Sequence, residues 1–322
     1  MNAFINRRRL RQYVQLRDAI RRNLRLLKMP GFQGLPLYDV LVFFFKGLFK
    51  GALSIRASAV AFNFFLAIFP FILFLFTLIP YIPIENFQLQ LFDFLAQIIP
   101  PDTFEMVEQT IFEIVMKQNT GLLSLSFVLT FVFSTNGTNA IIEGFNSTWH
   151  QMPAKGWFHQ RLMAAFLMVI LLFLVVISVV LLTLGGSIIS YLVTHGWIKG
   201  VVTVILLNFM KWLISLTLIF FSVSFLYYYA PAKRKAFRFF SPGSILATTL
   251  FVAGLLGFNF YINNFSRYNA LYGSIGTLII FLLWLFLNAF ILLIGFELNA
   301  SIMQASQEQN ADLAELNKHA HR

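Results

Sequence analysis

The sequence predicts an all-α membrane protein: a polytopic bundle of six transmembrane helices with interfacial amphipathic helices and both termini cytoplasmic. Three observations carry this reading. Of 322 residues, 58% are hydrophobic and 11% charged, where a soluble domain carries about 25% charged residues. Mean hydropathy is +0.76. Apolar runs recur at about 54–80, 120–143, 162–186, 204–229, 242–263 and 274–300, each reaching the ~20 residues a helix needs to cross the hydrocarbon core. Lipid offers no hydrogen-bond partners, so each run must satisfy its own backbone, and a helix does so. The chain has no cysteine, which excludes a disulfide framework, a thiolate metal site and a cysteine nucleophile.

Residues 1–53 read as a basic cytoplasmic segment. Tyr13, Leu16, Ile20, Leu24 and Leu27 recur at helical steps, and the other faces hold Arg7, Arg8, Arg9, Arg11, Arg17, Arg21, Arg22 and Arg25. Such a helix suits anionic lipid headgroups, where each basic side chain contributes ~1 kcal/mol. Nucleic acid is the competing partner and is not expected, because basic charge beside a span already follows from topology. No apolar stretch with a small-residue cleavage site follows closely, so no cleaved signal peptide is expected. After a break from Pro30-Gly31 to Pro36, residues 35–51 form a second interfacial helix with Asp39, Lys46 and Lys50 on one face. Its Gly47-x-x-x-Gly51 spacing is that of a weak helix-dimerisation motif.

The first span opens SIRASAVAFNFFLAIFPF, residues 54–71, with Arg56, Asn63 and Pro70 seven apart and therefore on one face. Pro70 removes a hydrogen bond to Leu66 and predicts a kink. Residues 84–118 hold Glu85, Asp93, Asp102, Glu105, Glu108 and Glu113 and predict two amphipathic helices outside the membrane, broken at Pro100-Pro101. Asp102 with Glu105 resembles a capping box. Basic residues then alternate between loops. Lys155 and Arg161 follow span two, and Lys233, Arg234, Lys235 and Arg238 follow span four. The positive-inside rule places these loops in the cytoplasm. From about residue 304 to 322 the chain reads as a polar cytoplasmic tail with His319 and His321.

Polar stripes recur in the later spans: Asn136, Asn139 and Glu143; Asn208, Lys211, Ser215 and Ser222; Asn259, Asn263 and Ser266; Asn288, Gly295 and Asn299, with Glu297 on a neighbouring face. Residues 54–303 thus form one six-helix domain with a polar seam or cavity as its expected interior. A single Asn in a span more often joins helices than contacts substrate, whereas charge in a span carries a stronger functional implication. Arg56, Glu143 and Glu297 share a depth near the cytoplasmic leaflet. Arg56 is therefore expected to pair with Glu143 or Glu297, and exchanging the two charges to restore folding. Lys211 lies in the outer half, either snorkelling beside Trp212 or attracting an anion.

The stretches YYYAPAKRKAFRFFSPGSILAT at 227–248 and LYGSIGTLIIFLLWLFLNAFILLIGFELNAS at 271–301, with IRASAVAF at 55–62 and Pro70, carry a resemblance. With Ile55 standing where the pattern has Ala, the chain resembles the YihY/BrkB family of bacterial membrane proteins over roughly residues 40–303. The resemblance implies a six-helix protein of the bacterial inner membrane. Family members are described as transporters or virulence-associated proteins, some under the older label ribonuclease BN. Transport of a polar or anionic amphiphilic, lipid-like solute is the leading expectation, and a non-transporting envelope scaffold the alternative. A ribonuclease would rest on His150, His159, Glu143 and Glu297. Two loop histidines nine apart without a nearby acid are a weak signal, and the sequence has none of the usual hydrolase or nucleotide-binding motifs. The chain is not expected to be an enzyme, or to hold a metal or cofactor.

Overall fold

The computed structural model describes residues 27, 31–98, 101–148, 156–195, 197, 201–231, 238–265 and 274–320. The basic helix expected at 1–26, His150 and Ser266 lie outside the described residues. Among the described residues the chain is helices and turns with no β-strand.

Helix α1, Leu37–Lys50, follows Pro36 and carries Asp39 in its first turn and Lys50 in its last, the charge order that complements the helix dipole. Ala52, at φ 48°, makes the left-handed turn into α2, Leu53–Leu78, which runs on through Pro70 as one helix. A 3-10 turn at Ile79–Tyr81 ends it. Helices α3, Phe87–Ile98, and α4, Pro101–Met116, fall either side of the expected break. Pro101 opens α4, at the position where its missing N–H costs nothing. Asp102 stands in the first turn of this helix. The rings of Phe104 and Phe112 meet Phe92 edge-on, joining the two helices. Gln88 Nε2 donates to the Ile79 and Ile82 carbonyls and Gln118 Nε2 to Pro80 O, anchoring this pair to the end of α2.

Helix α5, Thr120–Asn146, starts at Asn119, whose Oδ1 accepts the Leu122 N–H at 2.9 Å. Helices α6, Trp157–Thr194, α7, Val201–Tyr229, α8, Pro242–Phe265, and α9, Ser274–Ala320, complete the chain. Six helices are long and apolar enough to cross a membrane. Two outrun their apolar stretches: α6 has 38 residues and α9 has 47. The polar stretch from residue 304 is helical. Ala305 is still buried there, and 307–311 are exposed.

The spans pair in the order α2–α5–α6–α7–α8–α9, and α9 returns to α2, closing a ring. Alternation of direction gives the ring a proximal end, where α2 starts, α5 ends and α9 leaves the ring, and a distal end capped by α3 and α4. The main core lies proximally. Leu53, Ala57 and Val60 of α2, Ile141 and Phe145 of α5, Leu167 of α6, Tyr227 of α7, Ala247 of α8 and Phe296 of α9 belong to it. Helix α1 adds a second cluster, in which Phe32, Leu35 and Val40 meet Leu298, Ile302 and Ala305 of α9. Distally the packing thins. Among the described residues, none of 168–194 in α6, 202–214 in α7, 249–263 in α8 or 277–288 in α9 is buried.

Candidate functional site

The proximal core is built around an ion pair. Arg56, one turn into α2, directs its guanidinium to α5 and α9. Its Nη2 donates to Glu297 Oε2 at 3.2 Å and its Nη1 to the Gly144 carbonyl of α5 at 2.8 Å. Arg56 is 8% exposed and Glu297 0%. Of the two carboxylates that depth allows, Glu297 is the partner. Glu143 faces the other way, where its Oε1 accepts from Asn139 Nδ2 at 2.7 Å and from Gln160 Nε2 of α6 at 3.4 Å. Gln160 Nε2 also donates to Asn139 Oδ1 at 2.9 Å.

Glycine makes room for the pair. A Cβ on Gly47 of α1 would overlap the Glu297 carboxylate, and one on Gly51 would lie 2.9 Å from Arg56 Nη2. The Gly-x-x-x-Gly spacing therefore serves contacts inside this bundle, with α1 laid over the buried acid. Beside it, Phe145 and Phe296 stack with centroids 4.1 Å apart, and Tyr227 meets both edge-on.

One turn on, Asn299 caps α8. Its Oδ1 accepts the Gly243 N–H at 2.8 Å, and its Nδ2 donates to Ser241 Oγ at 2.8 Å. Ser241 Oγ in turn accepts the Ser244 N–H at 3.2 Å. Two of the orphan amides at the start of α8 are thus satisfied, one of them by the side chain of another span. Asn299→Ala is expected to cost about 1–3 kcal/mol, because it leaves buried polar groups unmet. Asn288→Ala should cost about 0.6 kcal/mol or less, since Asn288 Nδ2 only returns to Trp284 O of its own helix. Thermal melting of the two variants in detergent measures the contrast.

The remaining expected residues fall at two other levels. With a helical rise of 1.5 Å per residue, Asn63, Asn136 and Asn288 lie about 10–14 Å distal to Arg56, Gly144 and Glu297 on α2, α5 and α9. All three are half-buried, and Gly137 facing the Phe64 ring confirms the α2–α5 register. Asn208, Lys211, Asn259, Asn263 and Pro70 lie further still, about 20–30 Å from the pair by the same rise. Asn63 and Asn208 donate to their own Ala59 and Val204 carbonyls, and Asn263 donates to Asn259, one turn back. The Lys211 stem lies on Gly185 and its ammonium beside Gly186, a two-glycine notch in α6. The structure thus brings the expected residues together only proximally. Distally it leaves them on separate helices. His159 is exposed on α6. Gly47, Tyr227 and Ser241 were missed as site members. Ser241-Pro242-Gly243-Ser244 did carry the cap-then-proline signal of a helix start, but no sequence signal named Asn299 as its partner.

Residues 44–320 match the family described as Virulence factor BrkB. The chain belongs to this family. The match contains Arg56, Glu143, Gly144, Tyr227, Ser241, Gly243, Gly295, Glu297 and Asn299, so the whole proximal cluster lies within the BrkB region. Among similar BrkB-region sequences, the ribonuclease-like protein YfkH of Bacillus subtilis (strain 168) is 28% identical over 254 residues, covering 76% of this chain and 88% of YfkH. A UPF0761 membrane protein of Tolumonas auensis is 24% identical over 267 residues, covering 81% of this chain and 84% of that protein. Another, from Alkalilimnicola ehrlichii, reaches 37% identity over 83 residues, 26% of this chain and 19% of that protein. No solved structure matches.

Proposed function

We propose that this BrkB-family chain is a non-catalytic permease of the bacterial inner membrane, moving a polar or anionic amphiphilic solute. The observation that carries the reading is the asymmetry of the ring. Its proximal end is plugged by the Arg56–Glu297 pair and the Phe145–Phe296–Tyr227 stack. Distally, among the described residues, only the spans α2 and α5 stay joined by buried residues, through Thr77 and Ser126, and the described residues 168–194, 202–214, 249–263 and 277–288 of the other four spans are not buried. A bundle packed tightly at one end and thinly at the other fits one state of an alternating-access cycle, in which one part of the bundle rocks against the other around a site near the midplane. Asn63, Asn136 and Asn288 stand one level above the plug, and Lys211 supplies a cation near the distal mouth. None of the 13 acidic residues lies in the spans between that level and the distal end, so Lys211 has no fixed counter-charge at its depth. In this reading both termini are cytoplasmic and α3–α4 face outward, as the loop charges require.

The cysteine-free chain allows a direct test. Single substitutions Asn63→Cys and Asn288→Cys are expected to react with a membrane-impermeant maleimide added from the α3–α4 side, and Leu293→Cys in the plug to stay unlabelled. In liposomes, the wild type should redistribute a fluorescent anionic amphiphile between leaflets, and Lys211→Gln should slow this several-fold. Equal protection of all three cysteines together with no redistribution would favour the envelope scaffold. RNA cleavage by the purified protein, lost in His150→Ala, would favour the ribonuclease.

A further inference from the structure

A groove of about 300 Å³ runs along the outside of the ring between α5 and α6, lined by Phe131, Val132 and Thr135 of α5 and by Trp157, Arg161 and Ala165 among others of α6. Its shape is elongated. The Gln160–Asn139 hydrogen bond sets those two residues at one level, and Phe131 lies eight residues, about 12 Å, deeper along α5. Its wall is almost wholly apolar along that depth, and its proximal end carries a cation and an indole. Arg161 makes no ion pair within 4.0 Å among the described residues. The nearest acid in sequence level, Glu143, is held by Asn139 and Gln160 and does not line the groove.

We infer that this groove is a binding site for a membrane lipid with an anionic headgroup, one acyl chain lying along Phe131, Val132 and Ala165 and the headgroup phosphate on Arg161. The chemistry follows from the arrangement. An aliphatic chain matches a narrow apolar furrow that faces the bilayer. A guanidinium at its headgroup end gives planar, charge-assisted donors to phosphate oxygens. Trp157 is an amphipathic ring of the kind that sits at the headgroup level. A zwitterionic lipid fills the same furrow but gains less from the cation. Such a lipid acts as a wedge between the two helices that join α2–α5 to α6–α7. The inference does not depend on transport, since an anionic lipid can occupy the groove in a scaffold as readily as in a permease.

The test is lipid retention by the purified full-length protein, read by native mass spectrometry after equilibration with vesicles of equal phosphatidylglycerol and phosphatidylethanolamine. Wild type should retain the anionic lipid over the zwitterionic one, with the basic N-terminal segment and Arg161 both contributing. Arg161→Gln should lower this preference about fivefold, the contribution of one basic side chain at a membrane surface, with zwitterionic retention unchanged, and Arg161→Lys should keep much of it. Ala165→Phe, which fills the furrow, should lower retention of both lipids. Melting temperature in detergent shows that each variant is folded. If Arg161→Gln retains phosphatidylglycerol as wild type does, or if wild type shows no preference, the inference is wrong. Should Arg161→Gln not fold, Ala165→Phe decides, and undiminished retention in that variant overturns the site.

Discussion

Arg56→Ala and Glu297→Ala are each expected to lose most folded protein, with a cost of about 3–5 kcal/mol, because removing one member strands the other charge in the core. Size-exclusion profiles and thermal melts in detergent would show it. The double variant Arg56→Met/Glu297→Leu should recover much of the loss, since a buried ion pair replaced by apolar side chains of similar volume is often neutral or better. The charge exchange Arg56→Glu/Glu297→Arg, expected from sequence alone to restore folding, should fail on structural grounds. Arg56 Nη1 also donates to the Gly144 carbonyl, and a carboxylate at position 56 would face that oxygen with no donor. An arginine at 297 would press its longer side chain against Gly47, where even a methyl group overlaps the native carboxylate. Recovery by the exchange and not by the neutral pair would mean that charge attraction, rather than filled space and met carbonyls, holds this centre together.

Gly295→Ala is also expected to destabilise the proximal core. Its added Cβ would lie 2.6 Å from Gly243 O and 2.7 Å from Ala247 Cβ and would overlap the Tyr227 hydroxyl. Backbone cannot step aside as a flexible side chain can, so α8 and α9 must separate. Overpacking of this kind costs about 1–3 kcal/mol, and Gly295→Val should cost more. The reciprocal Gly243→Ala overlaps Gly295 O and places its Cβ 2.6 Å from Asn299, so it should match Gly295→Ala. Adding Tyr227→Phe to Gly295→Ala removes one overlap of three and sacrifices the 2.6 Å bond from Tyr227 to Leu292 O. It should therefore give no rescue in the same melts.

Much of this fold was legible because lipid is an exacting solvent. Hydropathy placed all six spans, since every stretch immersed in hydrocarbon must be apolar and helical. The same signal falls silent outside the bilayer, which is why α6 and α9 run further than their greasy stretches. Helicity in water has no apolar requirement, so the polar composition from residue 304 marks where the apolar span ends but not that the helix continues to Ala320. For the candidate site, periodicity showed which residues share a face but not what the face meets. Asn63, Asn208 and Asn288 lie on the expected faces, yet each bonds the carbonyl four residues back, an option every helical Asn carries and no spacing rule reveals. Depth narrowed the partner of Arg56 to two acids. The choice between them rested on Gln160 and Asn139 occupying Glu143, a contact between helices that only assembly creates. Gly47 announced a close approach without saying to what, and the surface it meets belongs to residue 297 of the same chain.

Helix α9 has one more consequence. Its 47 residues at 1.5 Å each make a rod of about 70 Å, more than twice the roughly 30 Å thickness of a hydrocarbon core. Glu297 sits about half-way along, so the same rigid shaft that holds the buried carboxylate continues some 35 Å beyond it as a mast. Leu298, Ile302 and Ala305 clamp the first part of that length under the α1 cluster, so the exposed stretch that begins at 307 starts about 15 Å from the acid.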